Sequence, residues 1–246
     1  MFNHLKVRNT KITFFKINSP NLNYLCKMKN TTPAQNLPIE SHPLEPFLPR
    51  NAKILMLGSF PPPKARWSME WFYPNWINDM WRIMGHIFFN DKNHFEIKGE
   101  KRFDKEKIIR FCTEKGIALY DTATQVRRLK ENASDKFLEV VTPTDIPSLL
   151  EQIPHCKAII TTGQKATDVI IQTFGCPEPP VGSFSEFTVQ QTNLFQEERN
   201  SQDSQQPRTL RLWRMPSSSR AYPLPLPQKG EFYRRMINYE KINLSL

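Results

Sequence analysis

The sequence predicts an α/β fold on a largely parallel sheet, and three observations predict it. Short apolar runs end at glycines or turn residues, an amphipathic helical segment follows each run, and the unit recurs along residues 53–174. Such alternation builds parallel sheets covered by helices, whose ligands bind beyond the carboxyl ends of the strands.

Residues 1–45 contain polar and proline-rich stretches without a sustained apolar period, and they are expected to form a poorly ordered extension to a domain spanning 46–246. Lys6, Arg8, Lys11, Lys16, Lys27 and Lys29 give the first thirty residues six cations and no acid. Three readings stay open there: an upstream extension ahead of a start at Met28, a basic arm, or a targeting segment.

The run 53–57 (KILML) suits a buried strand ending at Gly58, followed by an aromatic loop. Asn78 or Asp79 can then cap a helix carrying Met80, Ile83, Met84 and Ile87 on one face. Residues 104–115 read as a second helix, stopped by Gly116, and 117–121 (IALYD) as a second strand. A helix capped by Thr144 or Asp145 leads into a third strand at 157–163 and a third helix at 164–174. A strand pair at 186–192 and 209–215 flanks the polar stretch 195–207, read as an exposed loop. A helix over 228–242 closes the chain.

Of the net charge of +10, six charges sit in residues 1–30, leaving +4 for the rest. A basic balance of that size favours a polyanionic partner without requiring one. No stretch approaches the ~18 consecutive apolar residues of a membrane helix, so no membrane partner is expected. With 8 glycines against 21 prolines, glycine-rich flexible architectures are excluded. Cys26, Cys112, Cys156 and Cys176 form no CxxC pair and read as reduced thiols of a cytoplasmic protein. The five histidines lack HExxH spacing, so no metal or other cofactor is expected.

Three segments follow strands and share one rim: 58–79, 120–128 and 215–223. The first is rich in aromatics (Phe60, Trp67, Trp71, Phe72, Tyr73, Trp76) and ends in Asn75 and Asn78. It reads either as a stacking platform with an amide beside it, suited to a planar base, or as a proline-rich loop packed by its own rings. Ser217, Ser218 and Ser219 beside Arg220 suit phosphate contact, or form only a turn. Asp121 is a general base or a turn residue, and Asp79 a helix cap. Residues 162–167 are no phosphate-binding loop, because GxxxxGK[ST] is missing, and neither GxGxxG nor GxSxG occurs.

Four of these segments, LMLGSFPPP running into WFYPNWINDMWRIMG, GIALYDTATQVRR, IITTGQKA and MPSSSRAYP, together resemble the uracil-DNA glycosylase superfamily, and most closely its hypoxanthine-DNA glycosylase branch. The resemblance runs from residue 53 to about 240 with the motifs in the family's order. It aligns Phe72 and Tyr73 with the family's aromatic pair and Asn78 to Trp81 with its N-x-F-W. Pro216 to Ala221 align with the family's serine loop. Pro62 stands in place of the loop glycine, Met80 in place of Phe, and Tyr222 where Asn is common. Ser59 leaves the first loop without the Asp or Asn that many members carry.

The resemblance implies a three-layer α/β/α sandwich with a central, mainly parallel sheet, and a monomer acting on DNA that contains damaged or deaminated bases, in the cytoplasm of a bacterial-type cell. It makes Asn78 the catalytic residue. Gly58, Ser59, Phe60, Phe72 and Tyr73 bind the base, with the main-chain amides of Ser59 and Phe60 facing a base carbonyl. Ser217, Ser218, Ser219 and Arg220 bind DNA, with Arg220 entering the gap left by the flipped nucleotide. The reaction is hydrolysis of the N-glycosidic bond, without a charged base and without a lysine placed for Schiff-base chemistry. A non-catalytic lesion binder and a small-molecule nucleoside N-glycosidase are the rival readings.

Overall fold

The computed structural model describes residues 37–130, 135–189 and 207–243. The readings of residues 1–36, Met28 among them, and of the polar stretch 195–207, of which only Pro207 is described, lie outside them. In chain order the elements are β1 (Ile39–Ser41), β2 (Ile54–Gly58), α1 (Met80–Phe89), α2 (Lys105–Lys115), β3 (Ile117–Asp121), β4 (Ala123–Arg128), β5 (Leu138–Pro143), α3 (Ile146–Gln152), β6 (Ala158–Thr161), α4 (Gln164–Phe174), β7 (Ser183–Val189), β8 (Arg208–Arg214) and α5 (Leu226–Tyr239).

The central sheet has the order β3-β2-β6-β8-β7, parallel throughout except for β7, which pairs antiparallel with β8 at one edge. Every residue of β2, β3 and β6 is buried, as expected of strands covered on both faces. The chain steps from β2 outward to β3, then back past β2 to β6 and on to β8. Right-handed crossovers place the helices of these opposite steps on opposite faces, which gives the three layers. The reversal also leaves a crevice at the carboxyl ends of β2 and β6, where their following segments diverge.

Local signals end the helices as the sequence dictates. Asp104 Oδ1 accepts from the Lys107 N–H at 3.0 Å, and Asp145 Oδ1 from the Ser148 N–H at 3.1 Å, so two orphan donors are satisfied by caps. Gly116 closes α2 at φ 67°, and a Cβ there would lie 2.6 Å from the Asn51 carbonyl.

A second, three-stranded antiparallel sheet, β1-β4-β5, corrects two expectations. Of the rim segment 120–128, only Asp121 and Thr122 remain at the rim, because Ala123–Arg128 is β4. The extension read over 1–45 yields its last residues to the fold: Ile39–Ser41 pair with Gln125–Arg127. Ala123, Val126 and Leu138 form a small core of their own with Phe60 and Val140 against it. A three-residue strand is too short to show a period, which is why its sequence reads as loop.

Candidate active site

A cavity of about 660 Å³ occupies the crevice. The strand ends supply its floor, with Gly58 from β2, Asp121 from β3, and Thr162 and Gly163 after β6. Ten residues singled out from the sequence line it together: Gly58, Ser59, Phe60, Phe72, Tyr73, Asn78, Ser217, Ser218, Ser219 and Arg220. Chain segments about 160 residues apart therefore meet at one site.

The aromatic loop both packs itself and faces the cavity. Trp71 and Phe72 are buried, and Phe72 stands edge-on to Trp71 with centroids 5.5 Å apart. The Phe72 carbonyl accepts from the Trp81 indole N–H at 3.1 Å, which ties the loop to α1. Tyr73 adopts φ 49°, a left-handed backbone that a bulky residue rarely accepts, and its hydroxyl lies 3.2 Å from Thr162 Oγ1. Burial pushes its phenol above the ordinary range, opposed by the Thr162 hydrogen bond. Phe60, half-buried, also lines the cavity.

Asn78, one of two residues able to cap α1, is the one whose side chain does so. Its Oδ1 accepts from the Met80 N–H at 2.9 Å, while Asp79 makes no such bond. With the oxygen committed, Asn78 Nδ2 is the group left to donate into the cavity. Asn78 also bridges antiparallel to Ser219, and the Asp79 N–H donates to the Ser218 carbonyl at 2.9 Å, so the serine loop is stitched to the start of α1. Ser217 Oγ accepts from the Ser219 N–H and Ser219 Oγ from the Ala221 N–H, both at 3.2 Å. Their hydroxyl hydrogens remain to donate outward. Ser218 is 2% exposed.

Asp79 anchors a charge cluster beneath this loop. Its Oδ1 accepts from Arg220 Nε at 2.8 Å, and Lys229 Nζ and Arg82 lie 3.7 and 3.9 Å away. Lys229, 1% exposed, donates to the Ser219 carbonyl at 2.7 Å. Burial lowers its pKa, with Asp79 opposing. Arg220 is thus held against Asp79 beside the cavity.

Two carboxylates complete the site, one left open by the sequence reading and one missed by it. Asp121, left open between base and turn residue, has its Oδ2 2.9 Å from His42 Nε2, whose ring is braced through Nδ1 by the Leu44 carbonyl at 2.8 Å. Its Oδ1 lies so close to Gly58 that a Cβ there would sit 2.4 Å away, so any side chain at 58 would push this carboxylate from its place. Asp135 accepts from Ser59 Oγ at 2.7 Å, which brings a carboxylate beside the first loop. Burial raises the Asp135 pKa, the Ser59 hydrogen bond opposes, and neighbouring Asp121 adds to the rise. Arg66, Lys136 and Ile77 also line the cavity. Partners 79 and 76 residues apart leave no local pattern by which they could have been found.

No described residue accepts a hydrogen bond from the main-chain N–H of Ser59 or Phe60, so both are available to an acceptor. Together the walls, donors and carboxylates can hold a flat heterocycle by its edge. Among the described residues, no group of three His, Cys, Asp or Glu could hold a metal ion. No described helix is long and apolar enough to cross a membrane.

No family model matches the sequence, and no curated protein matches it. Among solved structures, the chain is similar to a candidate uracil DNA glycosylase from Methanosarcina acetivorans, determined by NMR in solution, at 19% identity and a TM-score of 0.53. The similarity covers 83% of this chain and 99% of that one. The two chains share a fold.

Proposed function

We propose that this protein is a monofunctional DNA glycosylase that hydrolyses the N-glycosidic bond of a deaminated base, uracil or hypoxanthine, as the first step of base excision repair. We place it with the uracil-DNA glycosylase superfamily, nearest the hypoxanthine branch. The observation that carries this reading is the convergence of Asn78, the aromatic loop and the serine loop on one cavity at the carboxyl end of the sheet.

The chemistry of the lining suits a deaminated base. Deamination replaces an amine beside an unprotonated ring nitrogen by a carbonyl beside a ring N–H. Asn78 Nδ2 and the N–H groups of Ser59 and Phe60 offer donors to a carbonyl. The Asp121 carboxylate, held by His42, is an acceptor for a ring N–H. An undeaminated base sets its own ring lone pair against that carboxylate.

Water adds to C1′ of the sugar as the bond to the base breaks, and the departing base takes up the negative charge and then a proton. Donors aimed at the base carbonyl stabilise that charge as it forms. The hydroxyls of Ser217 and Ser219 hold phosphates on either side of the flipped nucleotide.

The test uses duplex oligonucleotides with one uracil or one inosine opposite each normal base, incubated with protein and then cleaved at abasic sites by alkali. Strand scission by the wild type, reduced about 10²-fold in Asn78→Ala, is expected. Salt-sensitive binding without scission would replace the enzyme by a lesion reader.

A further inference from the structure

Among the described residues, five large hydrophobic side chains are exposed, and Ile77, at 51%, is the one of them that lines the cavity. Its neighbours fix its direction. Trp76 behind it packs on Phe103 with ring centroids 5.0 Å apart and lies under the Arg82 guanidinium. Asn78 ahead of it is bonded to Met80 and bridged to Ser219. Asn75 closes a tight turn around it: Oδ1 accepts from the Ile77 N–H at 3.1 Å, and the carbonyl from the Asn78 N–H at 2.8 Å. A rigid turn therefore carries an exposed, branched apolar side chain on the lining of the cavity.

Arg220, expected from the sequence to enter the duplex, is differently placed. Its guanidinium is bonded to Asp79, a nearly buried carboxylate whose other cations stand 3.7 and 3.9 Å off. Inserting Arg220 between bases would break that pair and strip water from a charge. Inserting Ile77 breaks no hydrogen bond of its side chain and removes apolar surface from water. Isoleucine is among the side chains that wedge between base steps and unstack them.

We propose that Ile77 is the wedge that enters the base stack and holds the space left by the flipped nucleotide, while Arg220 stays with Asp79 as part of the phosphate-holding loop. This inference rests on the DNA-glycosylase reading, and Ile77 is a positioning residue in it, acting on the duplex and not on the bond that breaks. A wedge matters only where there is a stack to open. Ile77→Ala therefore lowers excision from a duplex by about tenfold or more, while excision of the same base from a single strand changes less than about twofold. Ile77→Leu restores the duplex rate.

The second readout needs no bond cleavage. With 2-aminopurine beside the target base, wild-type protein raises its fluorescence on binding the duplex, Ile77→Ala does not, and Arg220→Ala still does. Equal loss on duplex and single strand, or a fluorescence rise that survives in Ile77→Ala, overturns the wedge. So does a rise lost only in Arg220→Ala. A wild type that excises nothing, yet gives a fluorescence rise that depends on Ile77, overturns the glycosylase reading and supports the wedge.

Discussion

Asp135 shows how a pocket can hold a carboxylate at a cost to the fold. Burial raises its pKa above the ordinary carboxyl range, so the folded protein binds this proton more tightly than the unfolded chain does. The linked stability is fully present below the unfolded value and is lost as pH rises through the folded one. Asp135→Asn removes the titrating group while keeping an oxygen for Ser59 Oγ. Because the wild type loses this stability as pH rises and the variant has no proton to lose, the melting temperature of Asp135→Asn relative to the wild type is expected to climb with pH, by roughly 2–4 °C for each kcal/mol. A relative melting temperature that climbs on acidification contradicts this account. Ser59 was legible at once from its place after β2, and Asp135 was not, because it reaches the site from 76 residues away.

The elements divide along the same line. α2 and α4 carry end signals of their own and match their sequence readings within a residue, and β2, β3 and β6 are apolar runs of strand length. The antiparallel sheet escaped because its inward positions are few, Ala123 and Val126 in β4 and Leu138 in β5, and β1 gains its identity only from pairing with β4. Yet that sheet supports the site. β1 leads directly to His42, which braces Asp121, and Glu40 makes a two-pronged pair with Arg128 at 2.9 Å. A chain lacking residues 1–44 loses both bonds. Leaving a buried charged group without its partner costs about 2–3 kcal/mol, so the melting temperature is expected to fall by roughly 5–10 °C. The matched control, lacking residues 1–36, keeps β1 and separates the loss of this strand from the loss of the preceding segment. Equal melting of the two shortened chains would deny β1 any structural weight.

At the scale of the whole molecule, a charge of +10 says how basic the chain is and not where an anion would bind. Lys53, Lys157, Lys241 and Arg211 gather in a cleft at the amino ends of the strands, opposite the candidate site. Three cations, Arg66, Lys136 and Arg220, line the cavity itself. If duplex DNA docks on the cavity face, only the cations that meet phosphates release counterions, and each contributes about −0.9 to the slope of log K against log salt. The expected slope is therefore about −3, far shallower than the full charge would give. Lys136→Ala, an exposed cation at the mouth, should flatten it by about 1 while weakening binding alike on lesion and normal duplex. Lys53→Ala at the opposite pole should leave it unchanged. Fluorescence anisotropy of a labelled duplex across a salt series measures all three. A slope that responds to Lys53 and not to Lys136 would move the DNA to the other end of the sheet, and a slope near zero would favour a free nucleoside as the natural guest of the cavity.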